Sequence, residues 1–369
     1  MHLKRLYFID AIRAFAILMM LQGHFIDTLL AIEYRDANNL AFNTWKYFRG
    51  ITAPVFFTIS GLIFTYLLLK AKGNGTLNYR MRKGVIRGLM LIGIGYALRI
   101  PLFRWLTGSF GTYFMVIDVL QIIGLSLILI VCVYILCQKK TLLFSIIMLC
   151  LGTLMFLTEP LYRTFTAEGI PLLFANYLTK VNGSVFTIVP WFGYMAYGAF
   201  IATLFYGYVL RPRFKVAIVT GFFTVAFGLI YGSSSLLSWL AIKTNLILFS
   251  EVANYNYLFV RLGNVLILFG LFYTFESRLK HPVILKIGQK TLSIYVIHFI
   301  VLYGSFTGWG LNRIFGKNLT PLEAITGAIC FLVLVSLISI YVIKANTQVY
   351  DYFRRKAYKL KTIIQSLNT

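Results

Sequence analysis

Long apolar stretches, separated by short polar segments, run through most of the chain. Ten of them approach the ~20 residues that an α-helix needs to cross a lipid bilayer. They predict membrane spans over residues 8–31, 52–70, 84–104, 114–136, 141–157, 185–207, 214–234, 256–275, 290–307 and 321–343. A further apolar segment around 236–250 leaves an eleventh span open. The pattern predicts an all-α integral membrane protein, a polytopic bundle of about ten transmembrane helices in one domain over residues 1–343.

The composition supports this fold class. Hydrophobic residues make up 59% of the chain and charged residues only 12%, whereas about a quarter of a soluble domain is charged. The first apolar run is longer than a signal peptide, and no small-residue cleavage site follows it. We therefore expect it to be retained as the first span.

The positive charge is concentrated in alternate connections. About 23 of the 35 Lys and Arg residues lie in the N-terminal MHLKR, in KAKGNGTLNYRMRKGVIR, CQKK, RPRFK and ESRLKHPVILKIGQK, and in the C-terminal region. The positive-inside rule then predicts that both termini are cytoplasmic, in a multi-pass protein of the cell membrane. The net charge of +24 is explained mainly by topology and anionic membrane lipid, so no nucleic acid partner is expected. A secondary use of the charge would be to bind a phosphorylated cytosolic donor. Residues 344–369 are predicted to form a basic amphipathic tail on the inner leaflet.

The first span carries a stripe of ionisable residues. Arg13 and His24 are eleven residues apart, which is three helical turns, so both lie on one face together with Asp10. Asp10 can pair with Arg13, and Asp27, one turn beyond His24, can hold the imidazole in one tautomer. Taken one at a time, these residues have structural explanations: Arg13 could extend to the cytosolic membrane surface, and His24 could form a hydrogen bond with a neighbouring helix. Four such residues together favour a functional site, because charges at membrane depth are costly.

The stripe belongs to a longer pattern. IDAIRAFAILMMLQGH, with its Arg-X10-His spacing, and PVFFTISG in the second span resemble membrane-bound acyltransferases of the acyltransferase-3 type. WKYFRGITAPVFFTISG, FMVIDVLQIIGLSLIL, VPWFGYMAYGAF and KIGQKTLSIYVIHF are similar to heparan-alpha-glucosaminide N-acetyltransferase-like proteins, a related branch. The similarity extends from about Asp10 to Tyr303.

This resemblance implies transfer of an acyl group, usually acetyl, from cytosolic acyl-CoA to a hydroxyl or amine on the other side of the membrane. It assigns His24 as the catalytic histidine and Arg13 as a residue of the donor side. From their positions on the helix, Asp27 is expected to act with His24, and Asp10 with Arg13. Imidazole can take the proton of the acceptor near neutral pH. Whether His24 is a base or carries the acyl group stays open. Acetyl-CoA is the expected donor, a glycan or glycolipid is the expected acceptor, and no metal is expected.

The segment RMRKGVIR departs from the acyltransferase-3 pattern, which often has two arginines three apart at the start of the third span. Here Arg80 and Lys83 are three apart, with Arg82 and Arg87 beside them. A lysine cannot reproduce the bidentate contacts of an arginine. The four cations could still bind the phosphates of CoA, or they could form an ordinary basic loop.

Other polar residues are predicted to contact the acceptor. Arg49 precedes the second span on the extracytoplasmic side and could bind an anionic acceptor. Asp118 and His298 are expected to face a polar cavity, although bonding between helices explains each of them too. Trp191 and Tyr194 could stack on a sugar, and anchoring in an aromatic belt is the commoner role for such residues.

Two other functions compete with acyl transfer. A transporter or flippase would use Asp10, Arg13 and His24 as a relay, but inverted repeats and paired broken helices are not visible in the sequence. A structural or sensory membrane protein leaves the ionisable stripe unexplained. Acyl transfer is therefore the leading hypothesis. The sequence does not decide the acceptor, O- or N-acylation, the acyl-chain length or homo-oligomer formation.

Overall fold

The computed structural model describes residues 5–36 and 38–342, together with 352, 355, 356 and 358. That part of the chain is helical, and one isolated β-bridge joins Leu30 to Leu319. The α-helices are α1 (Tyr7–Leu29), α2 (Leu40–Gly73), α3 (Leu77–Ala97), α4 (Leu102–Leu106), α5 (Val119–Leu136), α6 (Thr141–Leu157), α7 (Glu159–Arg163), α8 (Leu172–Leu178), α9 (Ile188–Tyr208), α10 (Phe214–Phe227), α11 (Ser233–Thr244), α12 (Ile247–Asn254), α13 (Tyr257–Thr274), α14 (Pro282–Gln289), α15 (Thr291–Tyr303), α16 (Leu311–Phe315) and α17 (Pro321–Leu337). Short 3₁₀ turns lie at Ile32–Tyr34 and Thr112–Met115, and π-helical turns at Gly228–Gly232 and Ile338–Val342.

Seven helical segments in the described residues are long and apolar enough to cross a membrane, so the chain is a multi-pass membrane protein in its architecture. They are Tyr7–Leu29, Leu40–Gly73, Thr112–Leu136, Ile188–Tyr208, Phe214–Thr244, Tyr257–Thr274 and Pro321–Tyr341. The pair α14 and α15, bent by 69°, gives an eighth if it is one span. The predicted number of ten is therefore not confirmed: α6 has only 17 residues, and α3 begins with a cluster of cations. The cytoplasmic location of the termini stays a prediction.

The region around 236–250 holds no eleventh span. A π-helical turn joins α10 to α11, so that the seventh predicted span continues as one segment of 31 residues, Phe214–Thr244. Asn245 then adopts a left-handed conformation and ends the helix. The next helix, α12, has eight residues and a length of about 12 Å, too short to cross the bilayer. The predicted tail over 344–369 lies outside the described residues, apart from the four positions given above.

Helix α1 lies inside the bundle. It contacts α2, α13, α14, α15 and α17, and most of its side chains are buried. Small residues along it, including Ala11, Ala14, Ala16 and Gly23, allow neighbouring helices to approach closely, as is common in membrane proteins. Arg13 and His24 are consequently held within the protein, where their contacts are protein side chains.

Close packing also fixes α2 against α9. A Cβ atom at Gly61 would overlap the backbone of Met195, and one at Gly198 would overlap the backbone of Thr58. Only glycine permits this approach of two helix backbones. The second span is thereby held rigidly, and its N-terminal half is brought beside the second half of α1.

The chain reverses sharply after α15. Gly304 has a φ of +70°, and a Cβ atom there would overlap the peptide between Trp309 and Gly310, so this turn requires glycine. The loop returns towards α4, and the amide of Phe103 donates a hydrogen bond of 3.3 Å to the carbonyl of Phe306. This turn places the loop after α15 beside the C-terminal end of α1.

Candidate active site

Two cavities lie at opposite ends of α1 and α15. The narrow cavity, of about 380 Å³, is bordered by Arg13 near the start of α1 and by Tyr295 near the start of α15. The wide cavity, of about 900 Å³, is bordered by His24 near the end of α1 and by Tyr303 at the end of α15. Tyr295 and Tyr303 are about 12 Å apart along the helix axis. The stripe predicted on α1 thus reaches both cavities.

The narrow cavity combines cations with apolar walls. Arg13, Arg80, Lys83 and Arg87 line it, and the apolar side chains come mainly from α2, α3 and α5. Arg13 donates a hydrogen bond of 2.8 Å from Nη2 to Thr291 Oγ1. This contact directs its guanidinium to α15.

The predicted ion pair between Asp10 and Arg13 is present. Asp10 Oδ1 lies 3.7 Å from Arg13 Nη1, and Asp10 Oδ2 lies 2.8 Å from Arg5 Nη2. The carboxylate thus lies between two arginines and offsets part of the cost of burying Arg13. Asp10 itself is not among the residues that line the narrow cavity, so its contribution to a donor site would be made through Arg13.

Arg82 is separated from the other predicted donor-binding cations. Its side chain is exposed, and it is not among the residues that line the narrow cavity. Arg80 lies only two positions earlier, but two residues in a helix are about 200° apart around the axis, so the two side chains leave α3 on opposite faces. The structure therefore does not bring Arg82 together with Arg80, Lys83 and Arg87, and a role for it in donor binding stays a prediction.

His24 is hydrogen-bonded to a tyrosine. Its Nδ1 atom lies 2.7 Å from the hydroxyl of Tyr303, which also accepts a longer hydrogen bond of 3.4 Å from Thr28. Asp27, which we expected to hold the imidazole, instead forms an ion pair with Arg49. The cation from α2 attracts the carboxylate away from the neighbouring turn of its own helix. Tyr303, which no sequence motif indicates as a partner of His24, is the residue that orients its ring.

A second ion pair crosses the wide cavity. Arg99 Nη2 and Asp118 Oδ2 are 2.6 Å apart, and their side chains are only 6% and 11% exposed. Asp118 also caps the N-terminus of α5 in a reciprocal arrangement with Gln121. The predicted position of Asp118 beside a polar cavity is thus observed, but its carboxylate is already engaged. Arg99 was missed because nothing in the sequence connects it to a residue nineteen positions away.

His298 lies between the two cavities and lines neither. Its ring is completely buried, 5.3 Å from the ring of His24 and 4.9 Å from that of Tyr295, edge to face in both cases. Neither of its ring nitrogens has a hydrogen-bond partner within the described part of the chain. His298 therefore lies behind His24, in the wall of the wide cavity, and does not contact the space where a substrate was expected.

Trp191 and Tyr194 pack in an aromatic cluster. Tyr194 is fully buried, lies 4.7 Å from the ring of Phe156 and donates a hydrogen bond to the carbonyl of Leu258. Trp191 packs 4.7 Å from the ring of Phe186 and belongs to the same cluster. The predicted stacking on a sugar is not supported, because α9 is held so close to α2 that these side chains face the core and line neither cavity.

The comparison with protein families shows which family the chain belongs to. A family model described as "Heparan-alpha-glucosaminide N-acetyltransferase, catalytic" matches residues 5–243. The chain belongs to this family. The match supports that branch of the resemblance and not specifically the acyltransferase-3 type. No curated protein matches the chain.

Membership of the family implies a transmembrane protein with an acetyltransferase-type activity. The matched residues contain α1 to α10 and all but the last residue of α11, and so include His24, Asp27, Arg49 and Asp118. His298 and Tyr303 lie beyond the match, on α15. The candidate site therefore combines residues of the matched region with residues of α15, which lies outside the match and packs beside α1 in the structure.

Proposed function

We propose that this protein transfers an acetyl group from acetyl-CoA, bound in the narrow cavity, to a hydroxyl or amine of a glycan or glycolipid in the wide cavity. The observation that carries the proposal is the position of His24. It lines the wide cavity, and it contacts His298, which contacts Tyr295 at the inner end of the narrow cavity. The ring of His298 thus separates His24, at the acceptor cavity, from Tyr295, at the donor cavity.

The narrow cavity has the chemistry of a site for CoA. Its apolar walls, formed by residues such as Ile59, Phe64 and Leu127, match the extended pantetheine arm. Arg80, Lys83 and Arg87 can provide charge-assisted hydrogen bonds to phosphates. We place the acetyl thioester at the inner end, near Tyr295, because the cations lie along the part of α3 that is remote from the wide cavity.

His24 acts as the general base in this proposal. When Nδ1 donates its hydrogen to the oxygen of Tyr303, the Nε2 atom keeps a free lone pair. Nε2 takes the proton of the acceptor hydroxyl or amine while its oxygen or nitrogen attacks the thioester carbonyl. The new C–O or C–N bond forms, the C–S bond breaks, and the thiolate receives the proton from His24 and leaves as CoA. The acetyl group thus moves directly to the acceptor, without an intermediate on the histidine.

The charge distribution supports a cytosolic donor. Arg211, Arg213, Lys215 and Lys280 line one depression together with Leu6, so several basic connections meet at the end of the bundle where α1 begins. Arg80 and Arg87 lie near the same end. Under the positive-inside rule this is the cytoplasmic end, where acetyl-CoA is available. The wide cavity then opens on the extracytoplasmic side.

Acetyl transfer in detergent tests the proposal. Purified protein is incubated with acetyl-labelled acetyl-CoA and alkyl glucosaminides, and the labelled sugar and free CoA are both measured. We expect one CoA released for each acetylated sugar. His24→Ala should lower the rate by roughly 10²–10⁴-fold, the usual contribution of a general base. His281→Ala, which removes an exposed histidine at the start of α14, serves as the control and should not change it. An unchanged rate for His24→Ala would contradict the catalytic assignment.

A further inference from the structure

The opening of the wide cavity is bordered by two short segments, residues 102–110 and 304–315, which we call the rim. The backbone hydrogen bond between Phe103 and Phe306 joins them. Side chains from both segments, including Phe103, Arg104, Trp309 and Arg313, line the cavity. A ligand that enters the wide cavity at this side therefore passes the rim before it reaches His24.

The rim carries two arginines without a carboxylate partner. Within the residues that the structure describes, neither Arg104 nor Arg313 forms an ion pair. Arg49 and Arg99, deeper in the same cavity, are each paired with an aspartate. Arg313 lies with its guanidinium 4.3 Å from the centre of the Trp309 ring, which fixes its position. Inside the cavity the arginines are thus neutralised by aspartates, whereas the two arginines at the opening are not neutralised by a carboxylate in the described part of the chain.

The rim also exposes large apolar side chains. The side chain of Leu106 is 83% exposed and that of Trp309 is 66% exposed. The others are Leu102, Phe103, Phe110, Ile314 and Phe315. Such a patch beside arginines, at the ends of membrane-spanning helices, is typical of segments that lie in the headgroup layer. The opening of the wide cavity would then lie at the membrane surface rather than above it in water.

We propose that the acceptor is anchored in the membrane and carries a phosphate group. Its apolar chain would pack against Leu106, Phe110 and Ile314, and its phosphate would be bound by Arg104 and Arg313, which suit phosphate through charge-assisted hydrogen bonds. The hydroxyl or amine to be acetylated then extends past the rim to His24. The inference rests on the proposed function, and it adds the chemical class of the acceptor. The phosphate takes no part in bond making or breaking.

A binding experiment tests the site independently of turnover. The protein, in phosphatidylcholine nanodiscs, is titrated with dodecyl phosphate, with inorganic phosphate and with dodecyl glucoside, and binding to empty nanodiscs is subtracted. We expect dodecyl phosphate to bind most tightly of the three. The double variant Arg104→Ala/Arg313→Ala should weaken its binding by about tenfold or more, the effect of losing charge-assisted contacts. Lys317→Ala removes an exposed cation near the rim that does not line the cavity, and it should leave binding unchanged.

Three results would overturn the inference. Equal binding of dodecyl phosphate by the double variant and the unmodified protein would exclude the two arginines. Equally tight binding of inorganic phosphate would indicate a free phosphate site without a lipid. Displacement of dodecyl phosphate by a soluble sulfated oligosaccharide at equal concentration would indicate a water-soluble polyanionic acceptor.

A transfer assay separates this inference from the proposed function. For a glucosamine-bearing phospholipid acceptor, the double variant should raise the KM for the lipid by about tenfold or more and leave the KM for acetyl-CoA unchanged. If the phospholipid is acetylated equally well by both proteins, the proposed function stands and the inference fails. If dodecyl phosphate binds at the arginines but no acceptor is ever acetylated, the proposed function fails and the phosphate site stands.

Discussion

The two cavities differ in how their charges are arranged. Four cations line the narrow cavity and no carboxylate is among its lining residues, so its net charge is positive over a mainly apolar wall. The wide cavity holds four arginines, and two of them are fixed by Asp27 and Asp118. The first arrangement suits a long ligand with an anionic end. The second keeps polar groups in fixed positions around His24, as a reaction site requires.

The largest effect is expected on the free energy of unfolding, when the buried ion pair between Arg99 and Asp118 in the wide cavity is broken. Arg99→Met leaves the Asp118 carboxylate buried without its cation, and such a loss costs about 3–5 kcal/mol of the free energy of unfolding. The measurement is unfolding in mixed micelles. Arg163→Met breaks the more exposed pair with Glu159, in which Arg163 is 44% exposed, and should cost less than about 1 kcal/mol.

Equal losses for these two variants would show that the wide cavity is not prearranged by its ion pair. A partial recovery of stability in the double variant Arg99→Met/Asp118→Asn is also expected, because it removes both buried charges together. No recovery would mean that the cost comes from altered packing instead.

The next effect concerns the narrow cavity, where α3 supplies a matched pair of arginines. Arg80 lines the cavity and Arg82 is exposed. Arg80→Ala should raise the KM for acetyl-CoA by roughly 10- to 100-fold, the range for a lost charge-assisted hydrogen bond. Arg82→Ala should leave the KM unchanged. Steady-state kinetics with varied acetyl-CoA measure both, and equal effects would indicate a diffuse basic loop instead of a site.

The smallest effect is expected at the hydrogen bond that orients His24. Tyr303→Phe removes the hydroxyl 2.7 Å from Nδ1 and should lower kcat about threefold to tenfold, since a neutral hydrogen bond contributes about 0.5–1.5 kcal/mol. The KM for acetyl-CoA should not change, because Tyr303 lies at the other cavity. Tyr341→Phe, at an exposed position, is the control. A change confined to KM would contradict an orienting role.

Sequence periodicity predicted the parts of the site that lie on one helix. Arg13 and His24 share a face of α1 because the helical repeat fixes their relative direction, and Asp10 pairs with Arg13 for the same reason. The partner of His24 could not be predicted in this way, since Tyr303 is 279 residues away. Asp27 was assigned to His24 by proximity along α1, and the ion pair with Arg49 depends on how α2 packs against it.

Aromatic residues were the least predictable part of the chain. Residues such as Trp191 and Tyr194 occur in sugar-binding sites, in interfacial aromatic belts and in the cores of membrane proteins. In the structure Trp191 packs against Phe57 and Tyr194 packs against Phe156, so both belong to the core. Their packing follows from the close contact of α2 with α9. The number of ten spans is not confirmed, because apolar length alone did not show that α6 has only 17 residues, that α3 begins with a cluster of cations or that α14 and α15 bend.

Transfer across a sealed membrane tests the central claim most directly. Vesicles containing the protein are loaded with labelled acetyl-CoA, and a glucosamine-bearing phospholipid is added only from outside. We predict that the label appears on the outer-leaflet lipid while CoA remains inside, and that His24→Ala vesicles give no labelled lipid. Acetylation that occurs only when acetyl-CoA and the acceptor are on the same side would contradict a reaction between two cavities at opposite ends of the bundle.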